Sequence, residues 1–71
     1  MYNFKVGQRV VNVRNESTYF GIAGTILNID TLTHVEYAVV QYDSYGYKVP
    51  SNFNSLIPES VYTSKLYKAL R

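Results

Sequence analysis

Val35-Glu36-Tyr37-Ala38-Val39-Val40-Gln41-Tyr42 is the run in this sequence that admits the fewest readings, being rich in β-branched and aromatic side chains with neither glycine nor proline inside it. Branched and aromatic side chains fit a pleated, half-buried surface, so the run reads as a strand. Alternation then places Ala38, Val40 and Tyr42 on one face and Tyr37, Val39 and Gln41 on the other. A strand needs partners, and the flanking sequence supplies them. Arg9 to Arg14, preceded by Gly7, reads as a first strand with Val11 and Val13 on one face and Val10 on the other. Gly24 to Asp30 reads as a second, imperfectly alternating, with Gly24 permitting a bulge or a close backbone approach at its start. Between them Asn15 to Phe20 forms a loop, polar and then aromatic, that ends at Gly21. Asp30 to His34 is turn chemistry. Asp43-Ser44-Tyr45-Gly46 is a second turn, leading into a short strand Tyr47-Lys48-Val49 that Pro50 stops. Ser51 to Ser55 then reads as a turn or a single 3₁₀ turn, and Leu56-Ile57 as a last strand closed by Pro58.

The period changes after Pro58. Tyr62, Leu66, Ala69 and Leu70 recur at i, i+4, i+7 and i+8, the stripe of an amphipathic helix over about residues 60–70. Ser60 is placed to cap it and Glu59 sits at its positive end, while Lys65, Lys68 and Arg71 lie toward its negative end. These three cations read as a solvated, dipole-favoured face rather than as a stripe for nucleic acid. A helix of about ten residues is marginal alone, which predicts that it docks on the sheet or frays.

At 71 residues the chain makes a single domain, because so short a polypeptide buries only about 60% of its unfolded surface and cannot support two cores. It has no cysteine, so neither a disulfide framework nor a thiolate metal cage is available and packing must carry the fold. That composition suits a reducing compartment, and the cytoplasm is the expected location. Met1-Tyr2-Asn3-Phe4-Lys5 lacks the pattern of a signal peptide, and no apolar run approaches the roughly 18 residues of a membrane span. Asn15-Glu16-Ser17 spells a glycosylation acceptor, which without a secretory route is a chance match. The net charge is +2 with a pI near 9.0, a weak bias toward a polyanion because the seven basic residues are spread along the chain. Tyrosine is the louder signal: eight Tyr and three Phe accompany no Trp, and tyrosine serves both in a small core and on a binding surface.

Phe4-x-x-Gly7-x-Arg9-Val10, Gly21-x-x-Gly24-Thr25-Ile26, Val40-x-Tyr42-Asp43, Val49-Pro50 and Leu56-x-Pro58 together are similar to the small SH3-like and KOW-like domains of bacteria and phages. The resemblance covers about residues 4–58 and implies a mainly β fold, a five-stranded SH3-like barrel with a short C-terminal α-helix. It further implies a small binding or adaptor module, of phage or prophage type, whose partner is a protein. The alternative is a KOW-like nucleic-acid-binding module. The stretch between the first strand and Gly24 is longer and less basic than a KOW loop, which ranks the protein partner first.

The resemblance also brings the first long loop near the turn before the fourth strand. Tyr19 and Phe20 would then meet Tyr45 and Tyr47, with Arg14 and Lys48 beside them for a phosphate or carboxylate, forming a platform for a base or a peptide. The competing reading is that a core this small uses such aromatics to plug its ends. His34 with Asp30 and Glu36 reads as a solvated turn, lacking the remote ligand a metal would need. Ser17, Thr18 and Ser44 stand apart from any base, and no glycine-rich phosphate loop is present, so neither an enzyme nor a cofactor is expected.

Overall fold

The structure, a computed structural model, describes residues 2–30 and 36–69, with the side chains of 65–69 left aside. Five strands follow one another: β1 Arg9–Asn12, β2 Ala23–Asp30, β3 Tyr37–Tyr42, β4 Lys48–Asn52 and, after a 3₁₀ turn at Phe53–Ser55, β5 Leu56–Pro58. Helix α1 spans Glu59–Ala69. The strands form one antiparallel sheet in the order β4-β3-β2-β1-β5, so a simple meander is completed by a fifth strand that returns to the first. β4 and β5 are its two edges, and the hydrogen-bonded ladder does not close into a ring. Among the described residues no helix is long and apolar enough to cross a membrane.

Alternation along β3 sorts its side chains as the sequence implies. Ala38, Val40 and Tyr42 are buried and meet Val10 from β1, Ile26 from β2 and Leu56 from β5 in one cluster. Burying a side chain of this size stabilises by about 1.5–3 kcal/mol, and so small a chain has few to lose. On the opposite face of β3 the Tyr37 hydroxyl donates to Asp30 across the strand pair at 2.8 Å. The ends of the core are covered by rings. Phe53 packs edge-on against Phe4, 4.9 Å between centroids, beside the start of β3, while Tyr19 and Tyr45 cover the end at Tyr42.

Gly24 is required by a close approach. A Cβ there would lie 2.7 Å from Val40 Cγ1 and 2.8 Å from the Gln41 carbonyl oxygen, so β2 and β3 could not keep their spacing. The bulge comes later, where the register shifts between Ile26 and Asn28 and leaves Leu27 as the extra residue. That insertion explains the imperfect alternation of β2: Ile26 and Ile29, three apart, both pack toward the core.

The structure differs from the sequence reading in β1, β4 and α1. β1 ends at Asn12, not Arg14, because the Asn12 side chain accepts the Arg14 backbone N–H at 2.9 Å and turns the chain. β1 is also buried on both faces, with Val10, Val11 and Asn12 all enclosed, since α1 packs against β1 and β5. Pro50 does not stop β4, which begins at Lys48 and runs on to Asn52 with Pro50 opposite Val39. An edge strand tolerates proline where the missing N–H would have faced solvent, and Pro50 is exposed. Helix α1 begins at Glu59, directly after β5, so Ser60 lies inside the first turn and does not cap it. The expected stripe residues Leu66, Ala69 and Leu70, the cations Lys65, Lys68 and Arg71, and the turn residues 31–35 with His34 lie outside the described side chains.

Candidate binding groove and tyrosine cluster

The loop between β1 and β2 is built from short-range hydrogen bonds. Ser17 N–H donates to the Arg14 carbonyl (3.0 Å), Phe20 N–H to the Ser17 carbonyl (3.2 Å), and the Ser17 hydroxyl accepts from Tyr19 N–H (3.0 Å). Gly21 closes the loop with φ +78°, a left-handed conformation suited to glycine, and its N–H returns to the Asn12 carbonyl at 2.7 Å. The loop is thereby folded back over the end of β3, which carries Tyr19 onto Tyr42. The β3–β4 turn is fixed in a similar way, with Asp43 N–H donating to the Ala23 carbonyl (2.9 Å) and Tyr45 N–H to the Tyr42 carbonyl (3.0 Å).

Four tyrosines meet where loop and turn converge. Tyr19 stacks on buried Tyr42 with centroids 4.6 Å apart and planes 7° apart, and Tyr45 meets Tyr19 edge-on at 5.1 Å. Tyr47 stands edge-on to Tyr45 at 5.6 Å, and its hydroxyl accepts from the Tyr19 hydroxyl at 3.3 Å. The Tyr19 hydroxyl is pushed up to about 12, first by that hydrogen bond and then by desolvation. Below the stack, the Tyr42 hydroxyl accepts from the Asn12 amide (3.1 Å) and bonds the Ser51 hydroxyl (2.8 Å). All three residues are buried, so this neutral network joins β1, β3 and β4 inside the protein.

A groove of about 530 Å³ opens beside the cluster. One wall is the loop, with Arg14, Glu16 and Tyr19; the other is β4 with its 3₁₀ turn, including Val49, Pro50 and Asn52. Asn12, Ser51 and Ser55 sit at its base. The surface it offers is mixed: hydroxyls and amides, a tyrosine edge and a proline, with one cation and one anion. The Arg14 guanidinium lies 3.5 Å from the Glu16 carboxylate and both are widely exposed.

The sequence-selected residues therefore fall into three groups. Tyr19, Tyr45 and Tyr47 are brought into contact, with Tyr19 and Tyr45 half-buried against the core and Tyr47 56% exposed. Arg14 lines the groove with Tyr19. Phe20 is 50% exposed at the loop tip and is not part of the four-ring contact, and Lys48 is exposed at the start of β4. Sequence reasoning missed Asn12, which reads as an outer-face strand residue, and Ser51, which it placed in a turn and which lies in β4. It also missed Arg9, which joins Asp43 and Glu59 at the far edge of the same turn. Among the described residues no three of His, Cys, Asp and Glu gather as a metal site requires.

The chain matches no protein-family model, no curated protein and no solved structure.

Proposed function

We propose that this chain is a small, non-enzymatic SH3-like binding module whose groove, between the β1–β2 loop and β4, takes an extended segment of a protein partner. The reading is carried by one observation: a folded loop and an edge strand face each other across about 530 Å³, with Tyr19 and two hydroxyl side chains on the loop wall and Val49, Pro50 and the Asn52 amide on the strand wall. Binding sites of this kind use apolar surface for contact and a few polar groups for orientation. Tyr47 and Phe20, both exposed, extend the surface beyond the groove, and Lys48 offers a cation to a carboxylate. The succession of elements supports the SH3-like assignment: a long first loop, a tight turn before β4, and a single 3₁₀ turn before β5.

A protein partner is favoured over nucleic acid because Arg14, the cation at the groove, already faces Glu16. A phosphate backbone would meet a nearly balanced charge there, whereas affinity for nucleic acid rests on unbalanced cations. The test is affinity capture with the intact chain beside Tyr47→Ala and Arg14→Ala variants, followed by NMR titration with the captured partner. A partner held by the parent chain and lost by the variants, with shifts confined to the groove, is the expected result. Failure to recover any partner, or salt-sensitive shifts with RNA or DNA instead, overturns it.

A further inference from the structure

Arg9 makes more side-chain hydrogen bonds than any function so far considered requires. Its guanidinium donates through Nη1 and Nη2 to the two oxygens of Asp43 (2.7 and 2.5 Å), through Nη1 to Thr25 Oγ1 (3.0 Å), and through Nε and Nη2 to the two oxygens of Glu59 (3.4 and 3.2 Å). Asp43 opens the turn that carries Tyr45 and Tyr47, and Glu59 is the first residue of α1. One terminal nitrogen serves both carboxylates, so the two acids sit near each other and, among the described residues, Arg9 is the cation that pairs with both. A planar fork is suited to holding two carboxylates in fixed positions, which an ammonium is not.

The same helix reaches the other aromatic loop. A Cβ on Gly21 would lie 3.7 Å from the Tyr62 hydroxyl oxygen, so the phenol that reaches out from the first turn of α1 ends beside the residue that closes the β1–β2 loop. Tyr62 is half-buried there. Both aromatic loops beside the candidate groove are thus approached by α1, the β3–β4 turn through the Asp43–Arg9–Glu59 bridge and the β1–β2 loop, which forms one groove wall, through Tyr62.

We infer that Arg9 is a positioning residue through which α1 braces both aromatic loops, so that the docking of the helix and the shape of the groove are coupled. The inference rests on the groove being the binding site for its biological meaning, but the coupling is a property of the chain alone. Removing the guanidinium leaves Asp43 and Glu59 facing each other uncompensated, which pushes the turn away from the helix. The helix then loosens over Gly21, and the second loop follows.

Amide hydrogen exchange followed by NMR tests this on the intact chain. In Arg9→Gln the Tyr45 and Gly21 amides exchange about three- to fivefold faster and the Val40 amide speeds up by less, as expected where a local opening adds to a small global loss. Arg9→Lys, which keeps charge without the fork, falls between. Adding Glu59→Gln to Arg9→Gln removes the repulsion and restores much of the protection. Should Arg9→Gln not fold, Glu59→Gln alone is expected to speed both loop amides. An unchanged Gly21 amide overturns the coupling, as does equal acceleration at Val40 or a double variant worse than the single. A partner that binds elsewhere, with this exchange pattern intact, sinks the groove reading and leaves the brace standing.

Discussion

The buried Asn12–Tyr42–Ser51 network and the exposed Arg9–Asp43–Glu59 network each tie together three segments remote in sequence, and both involve β1 and the C-terminal end of β3. They differ in what surrounds them. The first is neutral and enclosed, with Tyr42 at 1% exposure and Asn12 at 3%; in the second, the side chains of Arg9, Asp43 and Glu59 are 39%, 50% and 38% exposed. A buried hydroxyl that loses its partners cannot turn to water, whereas an exposed ion pair has water as its competitor throughout. The neutral network should therefore set stability, and the ionic one should set the arrangement of neighbouring elements.

Tyr42→Phe breaks the comparison at its strongest point. It keeps the ring in the stack with Tyr19 but removes the hydroxyl that satisfies both Asn12 and Ser51, at an expected cost of about 1–3 kcal/mol. Urea denaturation monitored by far-UV dichroism measures it, and an unchanged midpoint would mean that water reaches this site. Arg9→Gln is the matching substitution outside. Partial exposure and solvent screening hold its expected cost below about 1 kcal/mol. The deficit should shrink further in about 1 M salt, where the screening length is about 3 Å, whereas that of Tyr42→Phe should not change.

How legible each network was in the sequence follows the same division. Strand positions and faces follow from local pattern, so alternation put Ala38, Val40 and Tyr42 on one face without saying that it was the inner one, and Gly24 marked either a bulge or the close approach that is found. Three members of the tyrosine contact, Tyr19, Tyr45 and Tyr47, were brought together only through the resemblance, which added Phe20 to them and did not include Tyr42. Arg9 finds its carboxylates 34 and 50 residues away, and no periodicity reports a pairing at that range. Asn12 was hidden for another reason: an asparagine in a strand reads as a polar outer-face residue unless its buried acceptor is known. Pro50 misled because the rule that proline ends a strand holds for central strands, and whether a strand is an edge depends on the whole topology.

Acid sharpens the contrast. The hydrogen bond from Arg9 holds the Asp43 carboxyl below its ordinary value, with desolvation opposing and the guanidinium charge assisting. A depressed carboxyl contributes stability that is fully present above its unfolded value and is lost as pH falls through the folded one. The expected result is a small loss of stability on descending from the ordinary carboxylate range to below it, seen in the parent chain and reduced in Asp43→Asn. The Asn12–Tyr42–Ser51 network contains no carboxylate, so the difference between Tyr42→Phe and the parent should stay level across the same acid series.

The smallest expected effect lies between the two networks, at the hydroxyl pair of Tyr19 and Tyr47. Tyr19 donates to Tyr47, and ionising Tyr19 would destroy that bond and place a negative oxygen against a neighbouring hydroxyl's lone pairs; this is why the Tyr19 hydroxyl is pushed up to about 12. A tyrosine whose value is raised on folding contributes stability below its unfolded value and loses it as pH rises through the folded one, the reverse of Asp43. Tyr47→Phe removes the first cause while leaving the ring contact with Tyr45, so Tyr19 should titrate closer to its ordinary value of 10.0, with desolvation retaining the remainder of the shift. Tyrosine Cζ chemical shifts followed against pH resolve it. If Tyr19 still ionises near 12 in that variant, burial against Tyr42 and Tyr45 governs the ring, and the loop is held by stacking rather than by its link to the β3–β4 turn.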